Sequence, residues 1–169
     1  MKKSICILMA SLLLFLCGCS ANQNNLDTVT FYYCTERMQY KSEQSAFYPE
    51  QRKVASDDPI ELLNLFLKGP ADEHLDTPFP AGTTVVDFVQ EDSTARIKLS
   101  NQVGRLSGID LSVACATLTM TVADLFGADT IVISGSDVLL DGKTAITLSV
   151  SDIIWSDTTP ANTVKSNID

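Results

Sequence analysis

The chain has 169 residues, 45% of them apolar, which is enough for one packed core and too many for a disordered protein. With 12 basic against 21 acidic side chains and a net charge of -9, it lacks the cationic footprint that nucleic-acid phosphates need. One histidine excludes a multi-histidine metal site.

The first segment in chain order is a leader and not part of the fold. Lys2 and Lys3 make a basic start, and residues 5–16 are an almost unbroken apolar run. The run is shorter than the roughly 20 residues a bilayer span needs and has the length of a signal-peptide core. Leu16-Cys17-Gly18-Cys19 follows and resembles a bacterial lipobox, with Cys17 where Ala, Ser, Thr or Val is more usual. Small residues let such a segment lie extended in a peptidase groove, and the Cys19 thiol is the nucleophile that takes the diacylglyceryl thioether. The reading is a signal peptide over residues 1–18 and lipidation at Cys19, against an ordinary cleaved secretory signal. Cleavage removes two lysines and no acid, so the mature body is repelled by anionic lipid. Acyl chains alone do the holding, at the extracytoplasmic face of the bacterial cell membrane.

Cys34 and Cys115 are then the remaining thiols. Export permits a disulfide between them. Cys34 sits in a strand pattern and Cys115 on a helix stripe facing elsewhere, so buried, unpaired thiols are expected.

Residues 19–26 read as a polar tether. Residues 27–35 alternate as a first strand, 37–44 are a polar connection, and 47–55 are a weaker extended segment that Pro49 confines to a sheet edge. Asp57-Asp58-Pro59 opens a helix, a carboxylate capping the orphan amides and proline fitting the first turn. Ile60, Leu62, Leu63, Phe66 and Leu67 recur at helical spacing until Gly69-Pro70 ends it. Residues 71–82 read as a loop held extended by Pro70, Pro78 and Pro80. Strands are predicted over 83–90 and 94–99, joined by a turn through Glu91, Asp92 and Ser93. In the second, Ala95, Ile97 and Leu99 point inward and Thr94, Arg96 and Lys98 outward.

A second helix is predicted over 110–126, with Leu111, Cys115, Leu118, Val122 and Leu125 as its stripe and Gly127 as its stop. Residues 130–134 form a strand. A hairpin-like stretch follows around Asp141-Gly142, with Ile146, Leu148 and Val150 alternating. Residues 157–169 bury little and read as a frayed, flexible tail. The outcome is one domain over residues 27–156, of α+β class. Two helices pack on one face of a mostly antiparallel sheet, with water on the other.

Four stretches in this order carry a family resemblance. They are Leu62-Leu63-Asn64-Leu65-Phe66-Leu67-Lys68-Gly69-Pro70, Phe79-Pro80-Ala81-Gly82-Thr83-Thr84-Val85, Thr94-Ala95-Arg96-Ile97-Lys98-Leu99-Ser100, and residues 118–126 running into Thr130-Ile131-Val132-Ile133. Together they resemble the GerMN domain of sporulation and spore germination lipoproteins. One departure is Lys98, where the family often has an acid, at an expected exposed strand position. The resemblance implies an αββαβ core similar to the ring-building motif of secretion and sporulation channels. It also implies a non-catalytic module that docks with envelope proteins, or with itself, through sheet edges and helix faces. The best-known members carry two such domains, whereas this chain has length for one, so a vegetative envelope role stays open.

Candidates for chemistry are weak by comparison. His74 lies in a polar loop with Asp72, Glu73 and Asp76, and that spacing fits no known cation loop. Ser134-Gly135-Ser136-Asp137 lacks the frame of a nucleophile elbow and reads as a turn. Gly82, Gly104 and Gly108 make no phosphate loop. Phe31-Tyr32-Tyr33 is either a glycan platform or a strand with one buried aromatic face, and the second is the simpler account. The expectation is a lipid-anchored, cofactor-free interaction module without enzyme activity. The alternative is an envelope glycan-binding protein or hydrolase.

Overall fold

The computed structural model describes residues 27–35 and 47–153. The leader, Cys19, the tether, the connection at 37–44 and the tail from 157 lie outside the described residues.

Strand β1 (Asp27–Thr35) has the predicted bounds and is the middle of a three-stranded antiparallel sheet. Its neighbours are β2 (Tyr48–Val54) and β3 (Leu75–Asp76). As Pro49 requires, β2 is an edge. The two-residue β3 lies inside the predicted 71–82 loop and pairs with Cys34 and Thr35.

Helix α1 (Pro59–Leu67) starts as its sequence dictates, with the Asp58 carboxylate accepting from the Glu61 amide at 2.8 Å. Leu62, Leu63, Phe66 and Leu67 are its buried face. The Tyr33 hydroxyl donates to the Phe66 carbonyl at 3.0 Å, satisfying a last-turn acceptor, while the two rings stack 5.3 Å apart. Phe79 meets Phe66 edge-on at 5.8 Å, so the proline-held loop also reaches the core.

The second sheet holds β4 (Val85–Glu91), β5 (Thr94–Leu99), β6 (Thr130–Gly135) and β7 (Ala145–Ser149), in that order. Asn64 of α1 accepts the Val85 amide at 2.9 Å and so joins helix to sheet. The β4–β5 and β6–β7 pairs are antiparallel, whereas β5–β6 is parallel. The parallel pair follows from its connection: helix α2 (Gly108–Phe126) returns the chain to the same end of the sheet. The Ser93 carbonyl at the β4–β5 turn accepts the amides of Asp129 at 2.8 Å and Thr130 at 3.1 Å, clasping the start of that pairing. Gly127 ends α2 in the left-handed conformation, at φ 65°.

The class is α+β and mostly antiparallel, but the strands form two sheets where the sequence suggested one. Helix α2 serves both. Ala95, Ile97, Leu99, Ile131 and Ile133 of the larger sheet join Leu111, Cys115, Leu118 and Val122 in the main core. Val113 and Met120 on another side of α2 meet Cys34, Phe47 and Ile153 in a second cluster. Thr117, Thr119 and Thr121 are also fully buried, so the helix is enclosed on more sides than its predicted stripe. Although α2 is long and apolar enough to cross a bilayer, 61% of its apolar window is buried inside the fold.

Candidate interaction surfaces

His74 is exposed, and its amide donates to Asp72 within the same loop at 2.9 Å. Asp76 caps the Thr77 amide next to it. Among the described residues no group of three or more His, Cys, Asp or Glu side chains is placed to hold a metal ion. Ser136 and Asp137 form a turn, with Asp137 at φ 59° and the Ser136 amide on the Leu99 carbonyl at 2.7 Å. Phe31 and Tyr33 are fully buried in the main core, and Tyr32 between them is half-buried.

Cys34 and Cys115 are both buried and free. Burial pushes both thiols up from an ordinary 9.0 to about 11, aided at Cys34 by the Asp76 carboxylate. Neither is a nucleophile at neutral pH. Burial likewise raises the Tyr33 phenol, with Glu50 adding to it.

Surfaces suited to binding lie at the sheet edges. On β2, the Glu50 carboxylate accepts the Ala71 and Asp72 amides, both at 2.8 Å, and pairs with Arg52 at 3.0 Å. The strand thereby anchors the loop leaving α1. Pro49 and Lys53 also blunt this edge against strand pairing.

The β4 edge differs. Val86 and Val89 are 50% and 41% exposed, and the bulge between Val85 and Asp87 bends the strand beside them. Val89 heads a cross-strand row with Arg96, Val132 and Thr147 on the outer face of the sheet. Lys98 is exposed on that same face, as its alternation requires.

A third surface is an open groove of about 490 Å³ beside the first half of α2. Ile109, Leu111 and Val113 form one wall, Ile146 and Leu148 of β7 the other, and Phe47 and Ile153 close one side. Asp141, Lys143 and Asp152 supply its polar lining. The sequence showed each of these residues in its own element. It held no cue that a helix start, an edge strand and the chain after β7 converge.

Comparison with known proteins agrees with this picture. The model of the Germane family, described as sporulation and spore germination, matches residues 30–146. No curated protein matches the chain significantly. Among solved structures, the tandem GerMN domains of the sporulation protein GerM from Bacillus subtilis align with a TM-score of 0.59 at 14% identity. That alignment covers 78% of this chain and 48% of GerM's, so the chain spans about half the length of the tandem structure. The first GerMN domain of the same protein aligns with a TM-score of 0.57 at 18% identity, covering 75% of this chain and 99% of that domain. Two helices, two sheets and the matched span agree: the chain belongs to the Germane family and carries a GerMN-type domain.

Proposed function

We propose that the chain is a lipid-anchored extracytoplasmic module that binds an envelope protein during sporulation or spore germination, and that it works by docking and not by catalysis. The observation carrying this reading is the β4 edge beyond Val85, flanked by exposed Val86 and Val89. An edge strand offers unpaired amides and carbonyls, and flanking apolar side chains add contact area for a strand laid alongside. The family description supports the setting. Cys19, in its lipobox-like context, supplies the anchor to the membrane.

The test is cross-linked affinity capture of the full chain, tagged at its C-terminus, from native membranes. Wild type is compared with Cys19→Ser and with Val86→Lys/Val89→Lys. The expected result is an envelope protein captured by wild type, weakened by loss of the anchor and abolished by the paired lysines. Equal capture by the lysine variant would remove the β4 edge from the reading. Recovery of glycan with no protein would favour an envelope glycan-binding role.

A further inference from the structure

Strand β7 lacks the devices that blunt β2 and β4. Pro49 and Lys53 stand on β2, and β4 carries a bulge together with Asp87 and Glu91. Residues 145–149 of β7 include neither a charge nor a proline. Among the described residues no strand pairs with the outer side of β7.

Alternation decides which of its backbone groups are turned outward. The Thr130 amide donates to the Ser93 carbonyl, on the β5 side of β6. The amides and carbonyls of Ile131 and Ile133 therefore turn toward β7, where they meet Leu148 and Ile146. Those of Ala145, Thr147 and Ser149 turn away from the sheet. The Ser149 amide obeys this parity, since the Asp152 carboxylate of the following turn accepts it at 2.7 Å. The outward groups of Ala145 and Thr147 are left for an added strand.

Under this edge lies the groove. Ile146 and Leu148 are in register with the fully buried Ile133 and Ile131, yet they stay half-buried because they look into it. The facing wall is a helical stripe of Ile109, Ser112, Val113 and Ala116 on α2. Backbone pairing groups and an apolar trough for every second side chain thus lie side by side.

We propose that β7 and the first half of α2 form a second docking site, separate from the β4 edge, that takes an extended segment of a partner protein. The segment adds as a strand beside Ala145 and Thr147 and drops alternate apolar side chains into the groove. Asp141 and Asp152 outweigh Lys143 in the lining, so basic residues flanking the apolar ones complement it. A second copy is the poorer match. Its β4 edge would bring Asp87 and Glu91 up to those carboxylates, on a body of net charge -9.

The probe is a fluorescein-labelled peptide of alternating valine and threonine with lysine at both ends, titrated with the full chain and followed by anisotropy. The expected result is saturable binding, weakened about tenfold by Thr147→Pro and by Ser112→Arg. Thr147→Pro removes the outward amide and spares the β6 ladder, so circular dichroism and melting should hardly change. Ser112→Arg tests the groove without touching the strand, from an exposed position on the helix wall. The same peptide with proline in place of threonine should not bind. Absence of saturable binding would overturn the inference, and so would binding that survives either substitution or the proline exchange. A dimer in sedimentation that Thr147→Pro dissociates would place a second copy on β7 and overturn it equally. Val86→Lys/Val89→Lys should leave the peptide affinity unchanged, so the two docking sites fail separately. Loss of binding in that variant would move the peptide to β4 and overturn the assignment to β7.

Discussion

The hydroxyl of Thr121, midway along α2, accepts the backbone amide of Tyr32 in β1 at 3.0 Å. Tyr32 faces Pro49 across the ladder, and its amide points away from β2 toward the side where β3 has already ended. A helix side chain thus takes the place of the missing strand.

Thr121→Val keeps the shape and deletes the acceptor, leaving that amide without it. The expected loss is about 1–3 kcal/mol in chemical denaturation. Thr117→Val is the control, because the Thr117 hydroxyl bonds only to the Ala114 carbonyl of its own helix, at 3.0 Å. It should cost clearly less, and equal losses would refute the cross-sheet role.

The same parity predicts where β2 tolerates proline. Pro49 sits where the ladder needs no amide, so Gln51, two residues on, has its amide on the open side as well. Gln51→Pro should cost little, whereas Arg52→Pro should cost about 3 kcal/mol or more by removing a ladder bond. Thermal melts of the two variants would separate them.

Glu50 holds two loop amides with one carboxylate oxygen and Arg52 with the other. Glu50→Ala should lose about 1–3 kcal/mol and speed hydrogen exchange at Ala71 and Asp72. Unchanged exchange at those amides would count against the clamp.

Gly135 is required by close packing. A Cβ there would lie 2.5 Å from Val138 Cγ2 and 3.2 Å from the Val138 carbonyl oxygen. Gly135→Ala should destabilise by about 1–3 kcal/mol, and Val138→Ala should recover part of the loss in that background. Recovery is limited because the carbonyl contact remains.

Stability should fall as pH rises from about 9 to about 11. Folded Cys34 and Cys115 keep their protons to about 11, whereas the unfolded chain releases them from its ordinary 9.0. The unfolded state binds fewer protons in that window, so deprotonation favours it. The raised Tyr33 phenol acts in the same direction. Denaturation across this range should show a shallower decline in the Cys34→Ala/Cys115→Ala variant, and both native thiols should resist alkylation at pH 8.

Local rules were legible in the sequence. Asp58 caps, Gly127 stops, and Ala95, Ile97 and Leu99 point inward, because each depends on neighbours a few residues away. Long-range geometry was not. Leu75 and Asp76 become a strand only because Thr35 and Cys34 offer an edge, and two residues carry no periodicity. Thr117, Thr119 and Thr121 lie outside the predicted stripe yet are fully buried, Thr121 against the Tyr32 amide of β1. The groove was hidden for the same reason: Ile109, Leu148 and Ile153 are far apart in the chain and meet only after α2 docks.

The parallel β5–β6 pair sets an order of events. The β4–β5 hairpin closes across the short turn at Asp92 and Ser93, a fast local step. β6 reaches β5 only through the long crossover that holds α2, because a parallel strand cannot be delivered by a tight turn. Until then the far side of β5 is a second open edge, and the apolar length of α2 has no cover. Among other unfolded chains, that interval carries the greatest risk of wrong pairing. The Ser93 carbonyl, gripping the amides of Asp129 and Thr130, is where the interval closes.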